Sequence, residues 1–162
     1  MSEQTEKAER MIRNEEPEHE SIEDLMDFCE GLLDIEPAQS GNLDQLALDQ
    51  TRHYHKIQRK YIFEGRYLGW ALRRQAGIKL LRRKYYLGVL PPKVYASEPL
   101  NPMPAKSEIN EYLKGDHMML IIDEIVENAE QRVKYLEQAL QRVRDRGYDI
   151  KNAIEWRKVV EG

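Results

Sequence analysis

Eight apolar side chains, Met118, Ile122, Ile125, Ala129, Val133, Leu136, Leu140 and Val143, follow one another at steps of 4, 3, 4, 4, 3, 4 and 3. A helix brings such positions onto one side, and a stripe of that length has to be covered by other helices. Gly147 stands where this helix can stop, and Ile150, Ala153, Ile154 and Trp156 gather into a last short helix over about residues 150 to 160. The stripe can be covered from within, by the chain's own first helix or its Tyr54-Ile57-Tyr61 face, or by another copy of the chain. With 162 residues, 41% hydrophobic, 33% charged and a mean hydropathy of -0.75, the sequence supplies a thin core for a monomer. The expectation is therefore assembly through Ile122, Ile125, Ala129, Val133, Leu136, Leu140 and Val143.

The rest of the chain reads as helices broken by prolines. Ser21 with Asp24 resembles an amino-terminal cap, and Leu25, Phe28, Leu32 and Leu33 repeat at helical spacing, predicting a helix from Ile22 to about Ile35 before Pro37. Residues 37–42 are turn-like, and Leu43 to Gln50 is ambiguous between strand and helix. From Thr51 to Ala76, Tyr54, Ile57, Tyr61, Leu68 and Leu72 share one arc, a burying face. Pro91, Pro92, Pro99, Pro102 and Pro104 make residues 89–104 an extended connector. The predicted fold is all-α: an acidic disordered tail (1–20), a helical region (21–95) with a basic segment (51–88), a Pro-rich connector (96–116), and a carboxyl-terminal helical oligomerisation region (117–162).

Charge is sorted along this plan. Residues 1–50 carry 3 Lys+Arg and 15 Asp+Glu, a balance of -12; residues 51–95 carry 12 against the single Glu64, a balance of +11; the remainder stands at -3. A block of like charge repels itself unless something neutralises it, which points to an anionic partner for the middle segment or to neutralisation by the acidic segment itself. Arg52, Lys56, Arg59, Phe63, Arg66, Trp70 and Arg73 alternate at steps of 4, 3, 4, 3, 4 and 3, so two large aromatics stand among five cations on an outward stripe. Arg82, Arg83 and Lys84 run directly into Tyr85 and Tyr86. Single-stranded nucleic acid offers phosphates to cations and unstacked bases to rings, with little dependence on base order. The candidate nucleic-acid-binding residues are Arg59, Arg66, Trp70, Arg73, Arg74, Lys79, Arg82, Arg83, Lys84, Tyr85 and Tyr86. Self-association would multiply the few phosphate contacts of one subunit.

Other chemistries find little support. His53 and His55 point about 200 degrees apart on a helix and cannot chelate one metal, so they read as surface or partner-facing histidines. Gly65, Gly69 and Gly77 form no phosphate loop. No catalytic constellation is present, and the chain is expected not to be an enzyme and to need no cofactor. The lone Cys29 reads as a small buried apolar residue and excludes an intrachain disulfide. Met118 to Ile122 is the longest apolar run, far short of the ~20 residues of a membrane span, and no signal peptide is visible, so a soluble cytoplasmic protein is expected. A helical adaptor whose basic segment docks an acidic protein, and an RNA-binding chaperone, remain alternatives.

At the carboxyl terminus, Arg146-Gly147-Tyr148-Asp149-Ile150-Lys151-Asn152-Ala153-Ile154-Glu155-Trp156-Arg157-Lys158 resembles the ending of the UvsY family, the recombination mediators of tailed phages. Lys60-Tyr61, and Arg82 through Tyr85-Tyr86-Leu87-Gly88, are similar to the family's upstream motifs, so the resemblance covers roughly residues 22–162. It implies an all-helical protein in a homo-oligomeric ring of roughly six to eight subunits. It also implies single-stranded DNA as ligand, with a RecA-like phage recombinase and the phage single-strand-binding protein as partners, in the cytoplasm of the infected host. The family's stretch Lys-Ala-Arg-Leu-Asp-Tyr-Tyr is met here with Arg82 at the arginine, Leu80 at the lysine with Lys79 one place earlier, and Lys84 at the acid.

Overall fold

The computed structural model describes residues 10–14, 16–33 and 43–161, and among them no strand occurs. The elements are α1 (Ile22–Leu33), α2 (Leu43–Tyr86), α3 (Pro92–Ser97), α4 (Ile109–Lys114) and α5 (His117–Glu161). Of the predicted acidic tail, residues 1–9 and 15 lie outside the described residues, as do the end of the first predicted helix and the turn at 37–42. The described part of the tail is not wholly extended: residues 10–13 are helical and Ile12 is fully buried.

The chain divides into two compact units, one of residues 1–17 and 68–129, the other of residues 18–67 and 130–162. In the second, α1 packs with the first part of α2 and the last part of α5. Ser21 Oγ accepts from the Asp24 amide at 3.0 Å, satisfying one of the free donors at the start of α1. Leu25 and Cys29, one turn apart, then meet Ile57, Leu136, Ala139, Leu140 and Val143 in one buried cluster, bordered by Tyr54, Tyr61 and Tyr135. Burial pushes the Cys29 thiol up to about 11. Glu64 and Arg132 are buried in this unit as a two-bonded pair, Arg132 Nε to Glu64 Oε2 at 2.7 Å and Nη2 to Oε1 at 2.8 Å, which gives each charge its counter-charge out of water. His53, read from sequence as a surface or partner-facing histidine, is half-buried with an unbonded Nδ1, and burial lowers its pKa.

The apolar stripe of α5 is thus spent inside the chain. Leu136, Leu140 and Val143 are covered by α1 and α2, and Ile122, Ile125 and Ala129 are buried in the other unit, with Val133 half-buried. Of the seven residues expected at the assembly seam, six are thus buried within one chain and Val133 is half-buried: periodicity reports that a face is covered, and within the chain its own helices cover it. The predicted stop at Gly147 is also absent. Arg146 donates to the carbonyls of Leu32 and Leu33 at the end of α1, and Ile150 is buried, so α5 is held on both sides of the glycine and runs through to Glu161.

In the unit of residues 1–17 and 68–129, α2 buries Ala71, Ile78, Arg82, Tyr85 and Tyr86, and leaves Leu72 43% exposed, off the burying face assigned to it from spacing. α2 ends in the hydrogen bonds Gly88 N to Tyr85 O and Val89 N to Lys84 O, closed by Gly88 at φ 73°. A side chain there would be strained, and its Cβ would press on Met103 Cε. The Pro-rich connector is not wholly extended. Pro92 opens α3, a position where its fixed φ and missing N–H cost nothing, and α4 follows with Ile109 and Leu113 buried.

Candidate nucleic-acid interface

No carboxylate side chain stands between Glu64 and Glu98, whereas eight Lys and Arg do. The structure sorts the cations of α2 into two kinds. In the unit of residues 18–67 and 130–162, Arg59 and Arg66 are exposed, with Phe63 62% exposed between them and Arg66 5.9 Å from its ring centre. In the other unit, Arg73, Lys79, Arg83 and Lys84 are exposed and Trp70 is half-buried. Among the described residues none of these six cations makes an ion pair. Their charge is open to solvent, and α2 supplies no acid beside them to cancel it.

Arg82, Tyr85 and Tyr86, three of the candidate strand-contacting residues, are placed differently: all three are buried. Arg82 Nε donates to Asp116 Oδ2 at 2.7 Å, while its Nη groups donate to the two oxygens of Glu98 at 3.3 and 2.9 Å. Its guanidinium lies over the Tyr85 and Tyr86 rings, 4.2 and 5.5 Å from their centres. Burial works against the Arg82 charge, and the hydrogen bonds and charges of Glu98 and Asp116 more than offset it, holding the guanidinium protonated. Tyr86 donates to the same Asp116 Oδ2 at 2.7 Å, and burial with this bond pushes its hydroxyl up to about 12. Asp116 Oδ1 accepts from the amides of Met118 and Met119, capping α5. Tyr85 donates to Glu98 O, stacks on Tyr95 at 5.5 Å, and accepts through its carbonyl the hydroxyl of Tyr95.

These three residues form a buried bracket that joins the end of α2, α3 and the start of α5 within one unit, and neither tyrosine offers a free face for a base. Arg74 is also committed, donating from Nε to Ile12 O at 3.2 Å and from Nη2 to Met11 O. Glu98 and Asp116 were not singled out from sequence. Asp116 carried the one usable signal, an acid directly before a helical apolar repeat, which marks a helix cap.

Among the described residues no helix is long and apolar enough to cross a membrane, and no three His, Cys, Asp or Glu side chains gather as a metal site.

The sequence profile of the family described as "Recombination, repair and ssDNA binding protein UvsY" matches residues 40–162. The fold is similar to the crystal structure of the bacteriophage T4 recombination mediator protein UvsY, with a TM-score of 0.70 and 18% identity, over 86% of this chain and 98% of that one. No curated protein matches the sequence.

Proposed function

Since the chain belongs to the UvsY family of recombination, repair and single-stranded-DNA-binding proteins, we propose that it is a non-catalytic mediator. In this reading it grips single-stranded DNA irrespective of sequence and helps a RecA-like recombinase load onto strands covered by single-strand-binding protein. The observation that carries this is the acid-free run of α2 from Arg73 to Lys84 in the unit of residues 1–17 and 68–129, with Arg73, Lys79, Arg83 and Lys84 all exposed. Phosphates are the counter-charges such a run takes up, and contacts to backbone phosphate carry no base information.

Self-association would multiply this grip. With the α5 stripe packed within the chain, the end of α5 is one face open for assembly. There Tyr148, Trp156, Val159 and Val160 are each at least 65% exposed, an apolar load that water does not favour. Several α2 arms held in one ring, the arrangement implied by the family resemblance, would bend a strand around them and loosen the covering protein.

A second reading draws on Leu72 and Leu80, exposed among the same cations, which suit an acidic amphipathic helix of a protein partner. Recombinase assembly on a pre-covered strand separates the two. The mediator reading expects a shortened lag in filament formation, abolished by Arg83→Ala with Lys84→Ala; an unchanged lag contradicts it.

A further inference from the structure

The amino-terminal residues 10–20 precede the region matched by the family, which begins at residue 40, yet they are fastened to α2 at two places. In one unit Ile12 is fully buried, and the carbonyls of Met11 and Ile12 take both donors that Arg74 directs at them. Arg74 follows Trp70 by one helical turn and adjoins Arg73, so this pin sits on the flank of the exposed cations. In the other unit Glu20 pairs with Lys60, whose ammonium also lies 5.0 Å from the ring centre of Phe28, and His19 packs against Tyr67 at 4.2 Å between ring centres.

We propose that residues 10–14 and 16–20 act as an intramolecular strap that occupies Arg74 and Lys60 and so restrains strand binding until a phosphate chain displaces it. The proposal rests on the single-stranded DNA reading above and names a regulation of that site. Both electrostatic fastenings are of the kind a phosphate can outcompete. Arg74 is held by neutral carbonyls, which are weaker acceptors for a guanidinium than a phosphate oxygen. Lys60 is held by a carboxylate that is itself substantially exposed, and such surface pairs contribute little. Among the described residues 10–14 and 16–20, Ile12 is the one fully buried apolar side chain, and it lies outside the cluster around Leu25 and Cys29, so the strap can leave without unmaking that cluster.

The test is titration of the full chain and two variants with a fluorescent oligo-thymidylate over a range of salt. Ile12→Asp removes the anchor, and Glu20→Gln, an exposed change that leaves the fold alone, frees Lys60. Each freed cation should bind one more phosphate, giving tighter binding and a log K against log salt slope steeper by about 0.7. In the unaltered chain, the oligonucleotide should also speed hydrogen exchange at the amides of Ile12 and Arg13. Variants that bind with the unaltered chain's affinity and slope, or more weakly, overturn the strap while leaving the DNA reading in place. Failure of all three proteins to bind in dilute buffer overturns both.

Discussion

Arg82 and Asp116 meet at 2.7 Å inside the protein, the guanidinium 9% exposed as a residue and the carboxylate 4%. One carboxylate thereby serves three ends, holding Arg82, accepting from Tyr86 and capping α5. Arg82 stands directly beside Arg83, which faces solvent, so adjacent cations on one helix have separate tasks.

Replacing Arg82 by Ala leaves Asp116 charged, buried and short of its partner. The expected cost is about 3–5 kcal/mol, the range for breaking a buried pair from one side. Arg83→Ala and Lys84→Ala remove exposed cations and should each shift stability by less than about 0.5 kcal/mol. Thermal unfolding with strand binding checks both: Arg82→Ala should lower Tm, and the other two should weaken binding at unchanged Tm.

The Glu64–Arg132 pair is enclosed on both sides, with each side chain 6% exposed. Glu64→Gln or Arg132→Met alone should destabilise by about 3–5 kcal/mol, whereas the double variant Glu64→Leu with Arg132→Leu should recover most of it, because no charge is then stranded. Denaturant unfolding of the three variants gives the coupling.

Truncating Leu136, fully buried between α1, α2 and α5, to Ala should cost about 2–5 kcal/mol. Trp156→Asp with Val160→Asp alters only exposed positions and should leave Tm unchanged while lowering the sedimenting mass. A fall in mass on Leu136→Ala at unchanged Tm would return the seam to the role first read from its spacing.

Burial lowers the pKa of His53, so the folded state prefers the neutral ring. A base whose folded pKa lies below its unfolded value of about 6.5 contributes stability above that pH, lost as pH falls through the folded pKa. Unfolding followed from pH 8 to pH 5 should show this loss, and His53→Asn should flatten it.

Features that depend on neighbours along the chain were readable in advance. The Ser21 cap, the burial of Leu25 and Cys29, and the exposure of Arg52, Lys56, Arg59, Phe63, Arg66 and Arg73 are as expected, whereas Trp70 of the same outward stripe is half-buried. What helical spacing does not carry are partnerships over distance. The Arg82 run looks like a patch for phosphate because its counter-charges, Glu98 and Asp116, lie 16 and 34 residues away. The α5 repeat fixes which face is covered and is silent on the cover. Gly147 is compatible with a helix end, and only the hold of α1 carbonyls on Arg146 shows why the helix continues.

The central claim is that the exposed cations of α2 hold a single strand through its phosphates. Its most direct test is the equilibrium constant for oligo-thymidylate and for a mixed-sequence strand of equal length, measured from about 50 to 300 mM salt, in the unaltered chain and in Arg83→Ala with Lys84→Ala. The expected result is equal affinity for the two strands, a linear fall of log K with log salt, and a slope shallower by about 1.4 in the double variant at unchanged Tm. Absence of binding in dilute buffer, or a slope the double variant leaves untouched, would contradict it.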